Sequence, residues 1–201
     1  MLKETVHSAL EFNGDFYAFF LDPEQEEHGW EPHRDRNNMP FEDIGQGQQV
    51  PLYVTCWVAL SEASEENGCI RLLPASHDTK YYCTTNRSAD VDLTTQETKS
   101  IICLPAKKGS VIAWSGRTWH MGGKAKRSSK NARISLAFAA SAPVFEDASF
   151  RFSCCENREV SSTKWMPSLL DRLRIIATQL WIHDHREPMP CFVKELLEML
   201  E

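Results

Sequence analysis

The chain has 201 residues, of which 42% are hydrophobic and 25% are charged, and its net charge is −6. A chain of this length can bury a core of its own, so stability requires no disulfide or metal. The 6 tryptophans and 10 phenylalanines exclude a disordered chain, and the negative charge argues against a nucleic-acid partner. No apolar run approaches the ~20 residues that a membrane-spanning helix needs, so we expect no membrane partner.

The 7 cysteines are an odd number, and none forms a C-x-x-C pair. This argues against a disulfide framework and against a zinc ribbon. The cysteines lie in apolar segments, which is typical of reduced core thiols, and we interpret the adjacent Cys154 and Cys155 as buried, inert thiols. The N-terminus lacks the long apolar stretch of a signal peptide. We therefore expect an intracellular, cytoplasmic protein.

Short apolar runs separated by turn signals follow one another up to about residue 142. Their length and spacing predict about eight strands in a mainly β sandwich or barrel, rather than alternating β and α units. In chain order the predicted strands are 15–21, a short segment around His33, 50–60, 69–73, 100–104, 111–114, 118–121 and 132–141.

The predicted strand 50–60 carries different side chains on its two faces. Successive side chains of a strand point to opposite sides, so the even-numbered positions form a wholly apolar face that we expect to pack in a core. The other face carries Tyr53, Thr55 and Trp57, and we interpret it as lining a cavity. On this pattern alone, a strand with one half-exposed face is the simpler explanation.

Two polar, turn-rich connections, residues 36–49 and 78–99, are long for a compact domain. Such connections are usually lids, binding loops or mobile segments, so we expect substrate contacts there. After Pro143 the pattern becomes helical, with a helix start at Pro167 and a second short helix over 192–200. We expect these helices to cover an outer face of the sheet, with a partner-binding helix as the alternative.

The sharpest local motif is His33-Arg34-Asp35. In an extended segment His33 and Asp35 point the same way, so they can offer an imidazole and a carboxylate to one metal ion. His120, at the end of a predicted strand, is the best third ligand. Two histidines and one carboxylate form the facial triad that holds non-haem Fe(II) with open positions. The plainer alternatives are a surface ion pair for the first two residues and a satisfied core histidine for His120.

Arg133 begins the last predicted strand, shortly after His120. Beside a metal site, an arginine can bind a carboxylate through two parallel hydrogen bonds. A surface ion pair explains Arg133 equally simply. The order, the spacing and the strand context of these residues, taken together, favour the metal site.

Four segments, in order, resemble the phytanoyl-CoA dioxygenase-like branch of the Fe(II)/2-oxoglutarate-dependent oxygenases. They are residues 30–35, the W-x-A-L-containing segment 57–68, the turn 73–77 and residues 109–133. In the turn, Ala75 stands where the family usually has glycine. The resemblance covers about residues 16–141 and implies a double-stranded β-helix, a cupin-like jelly roll. We expect one domain over 1–201, with a β core over about 16–142 and a C-terminal helical extension over about 165–201.

The resemblance implies that His33, Asp35 and His120 are the catalytic Fe(II) ligands. It also implies a reaction in which dioxygen oxidises a small organic molecule while 2-oxoglutarate is decarboxylated to succinate, with ascorbate as a candidate reductant. Halogenases of this fold lack the carboxylate ligand, so the presence of Asp35 favours hydroxylation or a related oxidation over halogenation.

The resemblance also implies a set of co-substrate contacts. Arg133 corresponds to the arginine that binds the distal carboxylate of 2-oxoglutarate, and Trp57 to a tryptophan that lines the co-substrate pocket in some relatives. The same role extends more weakly to Tyr53 and Ser135. Relatives commonly have a longer region before the H-x-D motif than the residues 1–32 present here, and its contacts cannot be transferred to this chain.

Two functions of other classes stay open: a jelly-roll module that binds a metal or ligand without turnover, and a cupin-type metalloenzyme that does not use 2-oxoglutarate. The cluster His183-Asp184-His185 is interpreted as a helix-end cap, and His77 as part of a structural turn. The basic run 123–133 is interpreted as a solvated hairpin, with attraction of an anionic substrate as the alternative. The sequence indicates no oligomeric state.

Overall fold

A computed structural model of the chain describes residues 10–37, 39–43, 45, 49–83, 92–142 and 144–145. Across these ranges the protein has nine strands, one short α-helix, α1 (Thr95–Lys99), and one 3₁₀ helix, Ala75–His77. The strands are β1 (Glu11–Leu21), β2 (Phe41–Asp43), β3 (Gln49–Pro51), β4 (Tyr53–Ala59), β5 (Ile70–Leu72), β6 (Ile102–Leu104), β7 (Val111–Ser115), β8 (His120–Gly122) and β9 (Arg133–Ser141).

The strands form antiparallel sheets. A four-stranded sheet has the order β1-β9-β4-β7, a three-stranded sheet has the order β6-β5-β8, and β2 pairs with β3. One core cluster joins the two larger sheets, because Trp57 of β4 and Trp114 of β7 pack in the same cluster as Ile70 of β5. The mainly β fold predicted from the sequence is confirmed for the described residues.

The inner face of the four-stranded sheet places large side chains opposite small ones. Tyr53 lies opposite Ser141, and Trp57 lies opposite Ala137, across the β4–β9 pair. Burial alternates along β9, and the inward-facing positions after Arg133 are all serine or alanine. Small residues on one strand leave room beside the rings of its neighbour, so this face can border a cavity while its residues stay buried.

A close backbone contact holds the segment before β2 against β8. A Cβ added to Gly29 would lie only 2.4 Å from Gly122 Cα, a distance that no other residue type tolerates. His33 and His120 then form an isolated bridge, in which each backbone N–H donates to the other residue's carbonyl oxygen at 3.0 Å. The segment predicted as a strand around His33 is therefore a single bridge.

Three further predictions about local structure need correction. The run 50–60 forms two strands, β3 and β4, which are separated at Leu52. The ribbon of β2 and β3 lies largely within the predicted loop 36–49, because three-residue strands give too little alternation to be recognised. The predicted loop 78–99 contains α1, which begins at a capping box in which Thr94 accepts from Glu97 N–H and Glu97 accepts from Thr94 N–H.

Burial also differs from the prediction on the outer face of β4. The even-numbered face is core only in its first half: Val50, Leu52 and Val54 are buried, whereas Cys56 and Val58 are half-buried and Leu60 is 40% exposed. The described cysteines are free thiols, but Cys83 is exposed, so a core position is wrong for that residue. The predicted C-terminal helices and the Cys154-Cys155 pair lie outside the described residues. Within the described ranges, no helix is both long and apolar enough to cross a membrane.

Candidate active site

The structure brings His33, Asp35 and His120 together, with one ligand atom of each within 4.8 Å of the others. His33 Nε2 lies 3.2 Å from Asp35 Oδ1, and His120 Nε2 lies 3.7 Å from the same oxygen. The two imidazole rings are 4.2 Å apart, because the backbone bridge sets the two histidines side by side. Two nitrogens and one oxygen therefore converge on one point.

Backbone carbonyls orient both imidazoles. His33 Nδ1 lies 2.6 Å from the carbonyl oxygen of Glu31, and His120 Nδ1 lies 2.9 Å from that of Thr118. A carbonyl oxygen can only accept, so each Nδ1 carries a hydrogen, and Nε2 is the nitrogen that a neutral imidazole offers to a metal. Outer contacts of this kind orient histidines that bind metals in proteins. Both rings therefore present a metal-binding nitrogen to the cluster.

Asp35 is held by two side chains from the four-stranded sheet. Its Oδ2 accepts hydrogen bonds from Thr55 Oγ1 at 2.6 Å and from Trp114 Nε1 at 3.3 Å. Thr55 and Trp114 are direct partners in the β4–β7 register, so both donors come from one place on the sheet. With Oδ2 occupied in this way, Oδ1 is directed at the histidines.

The charges of the cluster suit a divalent cation. Burial raises the pKa of Asp35, but the hydrogen bond with His33 and the charges of His120 and His33 outweigh it and lower that pKa to about 2. Burial lowers the pKa of His120, although the charge of Asp35 opposes that effect. At neutral pH the cluster therefore contains an ionised carboxylate and a neutral His120 imidazole, which is the form that binds a metal.

Arg133 supplies a buried cation to the same cavity. The residue is 1% exposed, and its Nε and Nη1 make no hydrogen bond within the described part of the chain. Its guanidinium carbon lies 5.6 Å from the centre of the Trp57 ring and 6.0 Å from that of Phe19. Burial lowers the pKa of Arg133 to about 10, so it stays charged at neutral pH. A buried charge is costly without a counter-charge, so this site suits a bound carboxylate.

One cavity contains both the cluster and Arg133. Most of its wall is apolar or aromatic, and such walls with a few converging polar groups are typical of small-molecule sites. The lining residues are Tyr17, Phe19, Trp30, His33, Asp35, Tyr53, Thr55, Trp57, Ile70, Trp114, His120, Gly122, Arg133, Ala137, Phe138 and Ala139.

The cavity wall includes most, but not all, of the residues that the sequence suggests for co-substrate binding. Tyr53 and Trp57 line it, and the buried Trp57 Nε1 has no hydrogen-bond partner among the described residues. Ser135 is fully buried but does not line the cavity. The roles of these residues stay predictions.

Several residues of the site were not identified from the sequence. Trp114 lies far from Asp35 in the chain, and only the β4–β7 register brings the two together. Tyr17 and Phe19 belong to β1, where an alternating strand gives no sign of which face meets a cavity. Trp30 lies 5.5 Å from the His33 ring and is 38% exposed, which places it at the cavity mouth.

The other polar clusters do not join the site. His77 is exposed in a 3₁₀ turn, Ala75–His77. The basic run 123–133 connects strands of two different sheets, so it is not the hairpin that the sequence suggests. Lys126 of this run forms a 2.8 Å exposed ion pair with Glu66, in agreement with a solvated segment. The cluster at 183–185 lies outside the described residues.

Comparison with solved structures gives low identities and TM-scores. AviO1 from Streptomyces viridochromogenes Tue57 is 17% identical, with a TM-score of 0.48, over 65% of this chain and 51% of that chain. The epimerase SnoN from nogalamycin biosynthesis is 21% identical, with a TM-score of 0.45, over 66% of this chain and 47% of that chain. HygX from Streptomyces hygroscopicus, with nickel and 2-oxoglutarate bound, is 14% identical, with a TM-score of 0.49, over 70% and 59%.

The chain spans about half the length of these three proteins. No curated protein sequence matches it significantly. The family model of phytanoyl-CoA dioxygenase matches residues 2–134, which is most of the chain and includes the whole cluster and Arg133. The chain therefore belongs to the phytanoyl-CoA dioxygenase family, whose fold is that of the Fe(II)/2-oxoglutarate oxygenases.

Proposed function

We propose that this protein is an Fe(II)/2-oxoglutarate-dependent dioxygenase that hydroxylates or otherwise oxidises a small organic molecule. The main support for this proposal is that two features lie in one cavity. One is the convergence of His33 Nε2, Asp35 Oδ1 and His120 Nε2. The other is the buried guanidinium of Arg133, two of whose nitrogens have no partner among the described residues.

His33, Asp35 and His120 would hold Fe(II). The donor set is two imidazole nitrogens and one carboxylate oxygen, which is the set that non-haem Fe(II) oxygenases use to keep coordination positions open. Thr55 and Trp114 hold the carboxylate from behind, so the ligand set is already oriented. When bound, iron and 2-oxoglutarate supply the oxidising chemistry, in which dioxygen is consumed and 2-oxoglutarate is converted to succinate.

Arg133 would bind the distal carboxylate of 2-oxoglutarate through its free nitrogens. Trp57 would pack beside that carboxylate and offer its unpaired Nε1 as a further donor. Tyr53 would contact the co-substrate from the same strand, and Ser135 would act only through its neighbours because it does not line the cavity. The apolar wall lowers the local dielectric, which strengthens each of these polar contacts.

Aromatic side chains would exclude water near the metal and help to orient the substrate. Trp30 contacts Tyr17 at a ring distance of 4.8 Å and Phe19 at 5.9 Å, so three rings form one wall of the cavity. We propose that the substrate enters past Trp30 and that the connections 36–49 and 78–99 supply its other contacts.

The experiment is a turnover assay without a known substrate. Purified protein with Fe(II), ascorbate, dioxygen and 2-oxoglutarate should form succinate by uncoupled turnover. Formation should be lost in His33→Ala and Asp35→Ala and kept in His77→Ala, which changes an exposed histidine outside the cavity. Iron binding without succinate would favour a binding module without turnover. Iron binding with no affinity for 2-oxoglutarate would favour a different cupin-type metalloenzyme.

A further inference from the structure

A buried ion pair lies directly behind the first two candidate metal ligands. Arg34 separates His33 from Asp35 in the chain and, unlike both of them, does not line the cavity. Its Nη1 lies 2.6 Å from Asp78 Oδ2, and its Nη2 lies 3.0 Å from Asp78 Oδ1. The side chains of Arg34 and Asp78 are 6% and 0% exposed. Two parallel bonds of this kind fix both the distance and the plane of the guanidinium.

The same ion pair connects to the segment that carries the third ligand. Arg34 Nη1 also donates to the carbonyl oxygen of Arg117 at 2.6 Å. The next residue is Thr118, whose carbonyl oxygen is the partner of His120 Nδ1. Asp78 is itself anchored, because its Oδ1 accepts from the backbone N–H of Lys80 at 2.9 Å. One guanidinium therefore joins the segment of the first two ligands to the turn that orients the third.

We propose that Arg34 and Asp78 form a positioning pair that sets the metal-binding geometry of His33, Asp35 and His120 before a metal arrives. The inference rests on the proposed metal site. Arg34 stands between His33 and Asp35 in the chain, and it lies outside the cavity that both of them line, so fixing its side chain restricts the backbone that carries both ligands. Outer contacts that hold metal ligands in place typically contribute ~10- to 100-fold to metal affinity.

The test is a titration with Co(II), followed by calorimetry and by the visible absorption of the bound ion. We expect Arg34→Gln and Asp78→Asn each to weaken Co(II) binding ~10- to 100-fold and to change the absorption spectrum, because the ligand geometry is altered. The matched control is Glu66→Gln, which breaks the exposed 2.8 Å pair with Lys126. An exposed pair contributes little, so this variant should bind Co(II) within ~2-fold of the wild type.

A double variant covers the case in which the single variants do not fold. Removing one partner leaves a buried charge unpaired, whereas replacing both by apolar residues of similar size is often neutral for stability. Arg34→Met/Asp78→Leu should therefore fold and still bind Co(II) ~10- to 100-fold more weakly. Failure of this variant to fold would overturn the positioning role, because the pair would then be purely structural.

The outcomes separate this inference from the proposed function. If the wild type does not bind Co(II), or if His120→Ala binds it equally well, the proposed metal site itself fails. If His120→Ala loses binding while folded variants of Arg34 and Asp78 keep the wild-type affinity and spectrum, only the positioning role is overturned.

Discussion

The two faces of the four-stranded sheet differ in burial: polar side chains are buried on the inner face, whereas apolar side chains are exposed on the outer face. The inner face carries Thr55 and Trp114, which are buried and hydrogen-bond to Asp35. Much of the outer face is apolar yet open, with Phe20 61% exposed and Val111 60% exposed. Burying polar groups costs free energy unless they have partners, so the polar face needs a reason to be inside. The candidate metal centre supplies that reason.

The inner face therefore carries both the chemistry and the tight packing, because Trp57 and Trp114 belong to the core cluster, whereas much of the outer face is exposed. Adjacent residues of one strand can therefore have very different roles. Thr55 contacts a candidate metal ligand, while the next residue, Cys56, belongs to the half-buried outer face. Substitutions on the inner face should change ligand binding, and substitutions on the outer face should leave it unchanged.

The largest effect is expected from Asp35→Ala, which removes the one carboxylate of the cluster. Loss of an outer contact already weakens metal binding ~10- to 100-fold, so loss of a direct ligand should weaken it more than ~100-fold. Calorimetric titration with Co(II) measures this. Asp43→Ala, which changes an exposed carboxylate on β2, is the control and should bind as the wild type does. Equal affinity in the two variants would remove Asp35 from the metal site.

The next largest effect is expected from Arg133→Ala, which should weaken 2-oxoglutarate binding. The affinity is measured with an inert divalent metal bound. Leaving one partner of a buried ion pair alone costs about 3–5 kcal/mol, so affinity should fall by two or more orders of magnitude. Metal affinity itself should not change. Arg127→Ala removes an exposed arginine from the basic run and should leave 2-oxoglutarate binding intact. A nearly unchanged affinity in Arg133→Ala would rule out this residue as the carboxylate ligand.

A smaller effect is expected from Thr55→Val, which keeps the side-chain shape and removes the hydroxyl that donates to Asp35. We expect ~10-fold weaker Co(II) binding, as for other outer contacts. Burial raises the pKa of Asp35, while its hydrogen bonds with His33 and Thr55 lower it, so the variant should have a higher Asp35 pKa. Carbon-13 NMR of the carboxyl group would measure it, and an unchanged pKa would contradict the assignment.

The lowered pKa of Asp35 also makes the free energy of unfolding depend on pH. The pKa of Asp35 is about 2 in the folded protein and 3.8 ordinarily, so the ionised form stabilises the fold above pH 3.8. That contribution is lost as the pH falls from 3.8 towards 2. In Thr55→Val, the decrease in the free energy of unfolding over this interval should be smaller, which acid unfolding curves at matched ionic strength can test.

The smallest effect is expected on the outer face, from Phe20→Ala. Because Phe20 is 61% exposed, the free energy of unfolding should change by less than ~1 kcal/mol, and Co(II) and 2-oxoglutarate affinity should not change. Trp57→Ala, on the inner face, should cost ~3–5 kcal/mol by leaving a cavity. Similar losses in the two variants, measured by denaturant unfolding, would contradict the difference between the faces.

Much of this site could be predicted because its signals are local. The two-residue spacing of His33 and Asp35 and the alternation of Tyr53, Thr55 and Trp57 can be read in a few adjacent residues. The metal-ligand and co-substrate roles of these residues are proposals that rest on that spacing, on the family and on the geometry.

The contacts that could not be predicted depend on pairing between distant segments. Trp114 reaches Asp35 through the register of β4 and β7, and Arg34 reaches Asp78 through the packing of two connections. The ribbon of β2 and β3 was missed because short strands have little periodicity. The exposure at Cys56, Val58 and Leu60 could not be predicted, because an apolar face does not show whether another element covers it.

If the proposed function is correct, one cavity binds the metal and 2-oxoglutarate together. The most direct test is calorimetric titration of 2-oxoglutarate into the protein with and without Co(II), in the wild type, His120→Ala and Arg133→Ala. We predict strong binding only in the metal-loaded wild type and a similar loss in both variants. Equal affinity of the wild type with and without metal, or full affinity in metal-treated His120→Ala, would contradict the claim.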